Sequence, residues 1–271
     1  MGMMEDLARE DIIGPLVNGL HSGDFVLKED GKIYTGPTIG SSDPDLGWLF
    51  ARMAPDRNCF RWHWVYLNIF HFIPKSCFGC WKIVARPRNL DELMKVYELQ
   101  QKRNDVGKCG IERRPFCTYK GWYAAFWYCP LGEGLDKARE LYKEVKKDLH
   151  KYVAHDLPVI LKRACTEMEE EFGPSNLWTY HEAWRNAEGL LDDLLVIESK
   201  LKFQPKAYHE HMKLYWMRYA FEHGDPTAAN YCDKYPESFH VQPTVTYHDN
   251  YPKIVDERGV YGSSESKIER L

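Results

Sequence analysis

Segments of strand and helix character follow one another between residues 76 and 167 in an order that few folds accommodate. The order is strand, helix, strand, strand, helix, strand. The strand segments are residues 81–86, 111–118, 121–128 and 158–163. This succession predicts an α+β protein with a ferredoxin-like β-α-β-β-α-β core and an antiparallel sheet.

The two helices are predicted from the spacing of apolar side chains. Apolar residues recur at i, i+3, i+4 and i+7 from Leu90, and a second apolar stripe covers residues 135–149. Such spacing places the apolar side chains on one helix face, which needs a partner surface. Asn89, followed three residues later by Glu92, has the composition of a capping box and predicts where the first helix begins.

Five cysteines fall at positions that this fold brings to one end of the sheet. Cys77 and Cys80 form a C-x-x-C pair before the first strand, and Cys109 precedes the second. Cys129 ends the third strand, and Cys165 ends the fourth. With the usual strand order 4-1-3-2 and right-handed crossovers, strands one and two start where strands three and four end. We therefore expect all five thiols at the same edge.

Four converging thiolates from separated segments are typical of iron–sulfur ligation. Cys77, Cys80 and Cys109 supply three ligands, and Cys129 and Cys165 compete for the fourth place. The predicted cofactor is a [4Fe–4S] cluster, and zinc is the alternative. Zinc ribbons usually bring two C-x-x-C knuckles and this chain has one, while buried thiols without any metal are the third interpretation.

The remaining chain is divided by its composition. Residues 1–75 are predicted to cover the core residues 76–173, because 60–73 form a dense aromatic run without a clean period. Residues 174–235 have helical spacing and predict a helical subdomain. Residues 236–271 are polar or rich in Pro, Tyr and His and predict an irregular tail.

Basic residues near the strands predict an anion site. Arg86, Arg113 and Arg163 are the candidates, with a phosphate, a carboxylate or a nucleic-acid backbone as the ligand. Ion pairs with neighbouring acidic residues are the alternative explanation. The aromatic strand 121–128 lacks the order of an RNA-recognition motif, so nucleic acid is not favoured.

Composition narrows the class of protein. The net charge is −4, which gives no overall attraction to nucleic acid or membranes. No signal-peptide pattern is present, and no apolar run reaches the ~18 residues of a membrane span. Eight cysteines in a reducing cytoplasm are more often thiols or metal ligands than disulfides.

The sequence thus predicts a cytoplasmic iron–sulfur protein. It would be a redox protein or an enzyme, an oxidoreductase or a lyase, acting on a small anionic substrate beside the cluster. The alternative is a structural zinc module that binds nucleic acid or a protein partner through basic strand residues.

Overall fold

A computed structural model describes residues 12–36, 47–54, 57–113, 121–197, 204–231, 254–256 and 259–261 of the 271-residue chain. The chain divides into two compact units, residues 1–238 and 239–271. In the second unit, strands Ile254–Asp256 and Gly259–Tyr261 pair antiparallel. All elements described below belong to the first unit.

The first unit is a mixed α+β structure. Its strands are β1 (Phe25–Leu27), β2 (Ile33–Thr35), β3 (Trp48–Arg52), β4 (Trp81–Ala85), β5 (Gly107–Ile111), β6 (Tyr123–Tyr128), β7 (Val159–Arg163) and β8 (Leu195–Val196). Its α-helices are α1 (Ile13–Ser22), α2 (Asn68–Phe70), α3 (Lys75–Phe78), α4 (Leu90–Arg103), α5 (Gly134–Tyr152), α6 (Thr166–Phe172), α7 (Glu182–Leu194) and α8 (Lys206–Glu222). A π-helix covers Phe60–Leu67, and 3₁₀-helices cover Ser175–Leu177 and Pro226–Tyr231.

The central sheet has five strands in the order β3-β5-β6-β4-β7. Every neighbouring pair in it is antiparallel. Counted along the core as strands one to four, the strands β4, β5, β6 and β7 follow the order 4-1-3-2 that was predicted from the sequence. β3 extends this sheet beside β5, and the sequence did not predict that strand.

Helices α4 and α5 contact the strands of the central sheet. α4 begins as predicted, because the Asn89 side chain accepts a hydrogen bond from the backbone N–H of Glu92 at 2.9 Å. Leu90, Leu93 and Val96 of this helix are fully buried. In α5 the buried side chains are Ala138, Val145 and Leu149. Both apolar stripes therefore face protein, as their spacing predicted.

The second core strand begins earlier than predicted. The sequence placed it at residues 111–118, whereas β5 covers Gly107–Ile111, and residues 114–120 lie outside the described residues. Gly107 and Gly110 both lie within the strand. A Cβ at Gly107 would collide with the carbonyl oxygen of Phe126, and one at Gly110 with that of Gly47. These glycines permit close strand pairing and do not interrupt it.

Helices α7 and α8 lie in the region after residue 174, where the sequence has helical spacing. α7 ends at Leu194, because Leu195 and Val196 turn into β8 and pair in parallel with β2. The small sheet β1-β2-β8 is the result. No helix in the described ranges is both long and apolar enough to cross a membrane.

Candidate functional site

Three cysteines lie at one end of the central sheet. Cys80 directly precedes β4, Cys129 directly follows β6, and Cys165 comes two residues after β7. Backbone hydrogen bonds hold these strand ends together: the N–H of Cys129 donates to the Trp81 carbonyl at 3.0 Å, and that of Ala164 to the Cys80 carbonyl at 2.8 Å. The antiparallel order thus brings together residues far apart in sequence, as predicted.

Cys77 belongs to the same end. It is the third residue of the short helix α3, and its carbonyl accepts a hydrogen bond from the N–H of Cys80 at 3.3 Å. Its side chain is 3% exposed and packs in an apolar cluster that includes Ala164, Met168 and Cys165. The C-x-x-C pair is therefore a compact turn against the end of β7.

Cys109 does not join this group, which corrects the sequence-based placement. It is the middle residue of β5 and pairs with Ala125, which also pairs with Ala85 of β4. Ala85 lies five positions after Cys80 in an extended strand, so Cys109 is about 16 Å along the sheet from Cys80. Burial alone raises the pKa of the Cys109 thiol, with no other cysteine contributing.

Cys59, which is not among the cysteines predicted as ligands, joins the group instead. The pKa of the Cys77 thiol is raised first by burial and then by the nearby Cys165, Cys80 and Cys59. Cys59 itself is exposed, yet desolvation is the largest cause of its raised thiol pKa, followed by Cys165 and Cys80. Its sulfur thus lies among many protein atoms while the residue keeps access to solvent.

We refer to Cys59, Cys77, Cys80, Cys129 and Cys165 together as the cysteine site. Cys129 lies at the margin of this site. Burial is the largest cause that raises the pKa of the Cys129 thiol to about 11, and Cys80 is the only cysteine among the causes that raise it. Cys59 directly precedes the π-helix, an uncommon element that occurs frequently at functional sites. In the sequence, Cys59 comes directly before the aromatic run of residues 60–73. That position was the feature that could have identified Cys59 as a candidate.

Two buried cations contact the cysteine site. Arg57 is 8% exposed, and its Nη1 lies 2.6 Å from the Cys80 sulfur while its Nη2 donates to the Cys129 carbonyl. Lys82 is 6% exposed, and its Nζ lies 3.8 Å from the Cys165 sulfur. Burial is the largest single influence and lowers the pKa of Arg57, but Cys80, Cys59 and Tyr128 together raise that pKa above its ordinary value.

Aromatic side chains surround the buried part of the site. The partly buried aromatic residues in the apolar cluster around Cys77 are Trp62, Phe78, Phe172, Trp178 and Trp184. Trp62 comes from the predicted aromatic run, and Leu67 and Ile73 of the same run are fully buried in this cluster. The run therefore packs against the cysteine end of the sheet.

The three arginines proposed from the sequence as an anion site do not converge. Arg163 ends β7 on the cysteine side of the sheet. Arg86 follows β4 at the opposite end, where its N–H donates to the Pro158 carbonyl at 3.1 Å. Arg113 follows β5 at that same opposite end, with its Nη1 3.5 Å from the Tyr215 hydroxyl. Arg163 alone of the three lies near the cysteine site.

No group of three or more His, Cys, Asp or Glu side chains within the described ranges has the arrangement of a site for a metal ion. Comparison with protein-family models, curated proteins and solved structures found no match to the chain.

Proposed function

We propose that this chain is an iron–sulfur protein with a ferredoxin-like core. In this proposal Cys59, Cys77, Cys80 and Cys165 ligate a [4Fe–4S] cluster at the end of the sheet. Cys129 is a fifth thiol beside them, and Cys109 is a core residue. The succession β4-α4-β5-β6-α5-β7 and its strand order support the ferredoxin-like assignment.

The observation that carries the proposal is the pair of buried cations beside the thiols. Burying a charge is unfavourable unless an opposite charge or strong hydrogen bonds compensate it. Among the described residues, neither Arg57 nor Lys82 has a carboxylate partner, and both lie against cysteine sulfurs. Ionised thiolates would supply the missing negative charge, and metal binding is what keeps buried thiols ionised.

The positions of the four cysteines in the chain favour a cluster over a single zinc ion. One C-x-x-C turn supplies two thiols, and Cys59 and Cys165 come singly from separate segments. A zinc site needs its four sulfurs around one ion at about 2.3 Å. A cluster places several iron and sulfide atoms between its ligands and so accepts thiols that are farther apart. The proposal rests on the convergence of thiols and cations and does not require a preformed ion site.

The surroundings suit redox or Lewis-acid chemistry. The aromatic residues around Cys77 lower the local dielectric constant and restrict water, and the cations offset the cluster's negative charge; both tune reduction potential. Cys59 is exposed, which gives a substrate or a redox partner access to this side of the site. We propose an oxidoreductase or a lyase that acts on a small anionic substrate, and a structural zinc module is the alternative.

The test is anaerobic reconstitution of the full chain with iron and sulfide. We expect about four iron and about four sulfide atoms per chain, brown absorption and an electron paramagnetic resonance signal after reduction. Single Cys→Ser variants at Cys59, Cys77, Cys80 and Cys165 should lose iron or change that signal. Cys109→Ser is the matched control and should keep both.

Two results would contradict the proposal. Colourless protein that binds one zinc ion and no sulfide would favour the structural zinc alternative. Equal loss of iron in the Cys109 and Cys59 variants would remove the ligand assignment, because these residues differ in their distance from the other thiols.

A further inference from the structure

Arg163 is held among aromatic rings at the cysteine end of the sheet. It is paired with Trp81 across β7 and β4 and lies two residues before Cys165. Its guanidinium carbon lies 5.9 Å from the ring centre of Phe78, 5.6 Å from that of Trp81 and 5.7 Å from that of Trp178. Three rings at cation–π distance fix the orientation of this side chain.

The guanidinium of Arg163 has no acidic counterpart. Within the described ranges no acceptor hydrogen-bonds to it, and its Nε is buried without a partner. The preceding residue behaves differently, because Lys162 forms an ion pair with Glu169.

We infer that Arg163 and its three rings form the binding site for the carboxylate of a small organic acid beside the cysteine site. The planar fork of an arginine matches both oxygens of a carboxylate, and the rings offer apolar surface to the organic part of the ligand. One unpaired cation suits a monoanion better than a dianion such as phosphate. In this inference Arg163 and its rings hold the substrate of the proposed cluster site. The inference therefore rests on the proposed function and names its substrate class.

The experiment is calorimetric titration of the reconstituted full chain with benzoate, a monocarboxylate with a flat apolar body. Benzamide is the neutral analogue and inorganic phosphate is the competing anion. Arg163→Gln removes the charge, and Arg163→Lys keeps the charge but removes the fork. Arg86→Gln is the matched control, because Arg86 likewise lies at a strand end and has a buried nitrogen without a partner, but at the other end of the sheet.

We expect saturable benzoate binding in the wild type and weaker or no binding of benzamide and phosphate. Charge-assisted hydrogen bonds of this kind predict roughly 10- to 100-fold weaker benzoate binding in Arg163→Gln. Arg163→Lys should fall between the wild type and that variant, and Arg86→Gln should bind as the wild type does. If Arg163→Gln does not fold, judged by circular dichroism, Arg163→Lys decides the question.

Three results would overturn the inference: no saturable benzoate binding to wild type, equal binding of benzamide, or unchanged affinity in the folded Arg163 variants. Iron and sulfide are measured on the same samples, which separates the two proposals. Benzoate binding that depends on Arg163 in a chain without iron and sulfide would retain the carboxylate site and remove the cluster. A full cluster without benzoate binding would do the reverse.

Discussion

Replacing Arg57 by glutamine should lower the reduction potential of the proposed cluster. Arg57 is buried, its Nη1 lies 2.6 Å from the Cys80 sulfur, and its ring contact with Tyr128 holds the guanidinium 5.0 Å from that ring centre. Reduction adds negative charge to the cluster, so a cation fixed beside a ligand sulfur stabilises the reduced state. Glutamine keeps a hydrogen-bond donor but removes the positive charge.

The size of the effect follows from the contact. For two unit charges about 6 Å apart, Coulomb's law at an effective dielectric constant of about 20 gives roughly 3 kcal/mol. For a one-electron couple, about 59 mV corresponds to about 1.4 kcal/mol. Solvent near the exposed Cys59 screens part of this interaction, so we expect a decrease of roughly 100 mV.

The assay is a redox titration followed by electron paramagnetic resonance, on samples matched for iron and sulfide content. Arg57→Lys keeps the charge and should move the potential by less than half as much. Arg139→Gln is the control, because Arg139 is exposed on α5 and paired with Asp136. Solvent screens its charge, so the cluster potential in this variant should stay within about 10 mV of wild type. A full cluster with an unchanged potential in Arg57→Gln would refute the electrostatic role assigned to Arg57.

Three further predictions concern stability. Asp225→Ala should lower the free energy of unfolding by roughly 3 kcal/mol in urea titrations, because the buried carboxylate accepts from the Tyr123 hydroxyl at 2.8 Å and also caps α4; a loss under about 0.5 kcal/mol would contradict this. Cys109→Ala should cost about 1 kcal/mol by leaving a small cavity, without loss of iron, and lost iron would return Cys109 to the ligands. Arg88 lowers the pKa of Asp156, so this pair stabilises the fold above the ordinary Asp pKa and loses its contribution as pH falls through the lowered pKa. Asp156→Asn should therefore be less stable than wild type at neutral pH and as stable as wild type in strong acid. An equal difference in stability at both pH values would refute the pairing.

The sequence predicted the features that depend on local pattern. Asn89 caps α4 through the hydrogen bond that its spacing to Glu92 suggests, and the apolar stripes of α4 and α5 are buried. The strand order also followed, because β-α-β-β-α-β succession with right-handed crossovers leaves few alternatives. β3 was missed because a five-residue strand at a sheet edge depends on the partner it pairs with, and that pairing leaves little mark on the sequence.

The position of Cys109 shows how a small register error changes a predicted site. The predicted second core strand starts at residue 111, four residues after the observed start at Gly107, and this places Cys109 before the strand. In the structure the two glycines allow close pairing with neighbouring backbone, so β5 includes Cys109 at its middle. Contacts across the sheet set the register of a strand. Where glycines interrupt the alternation of side chains along a strand, the sequence pattern alone specifies that register only weakly.

Cys59 was missed because its place in the site depends on a contact between distant segments. Residues 57–59 supply both a cation, Arg57, and a thiol, Cys59, so one short segment contributes a proposed ligand and a positive charge beside the cysteine site. Cys80 and Cys165 meet only when β4 and β7 pair, and Cys59 reaches them only when the segment before the π-helix packs on that end. The proposed cluster would therefore bind to a sheet that is already formed, unlike a zinc finger, whose folding the metal drives. Loss of the metal should then leave the core folded, with two buried cations deprived of their negative partners.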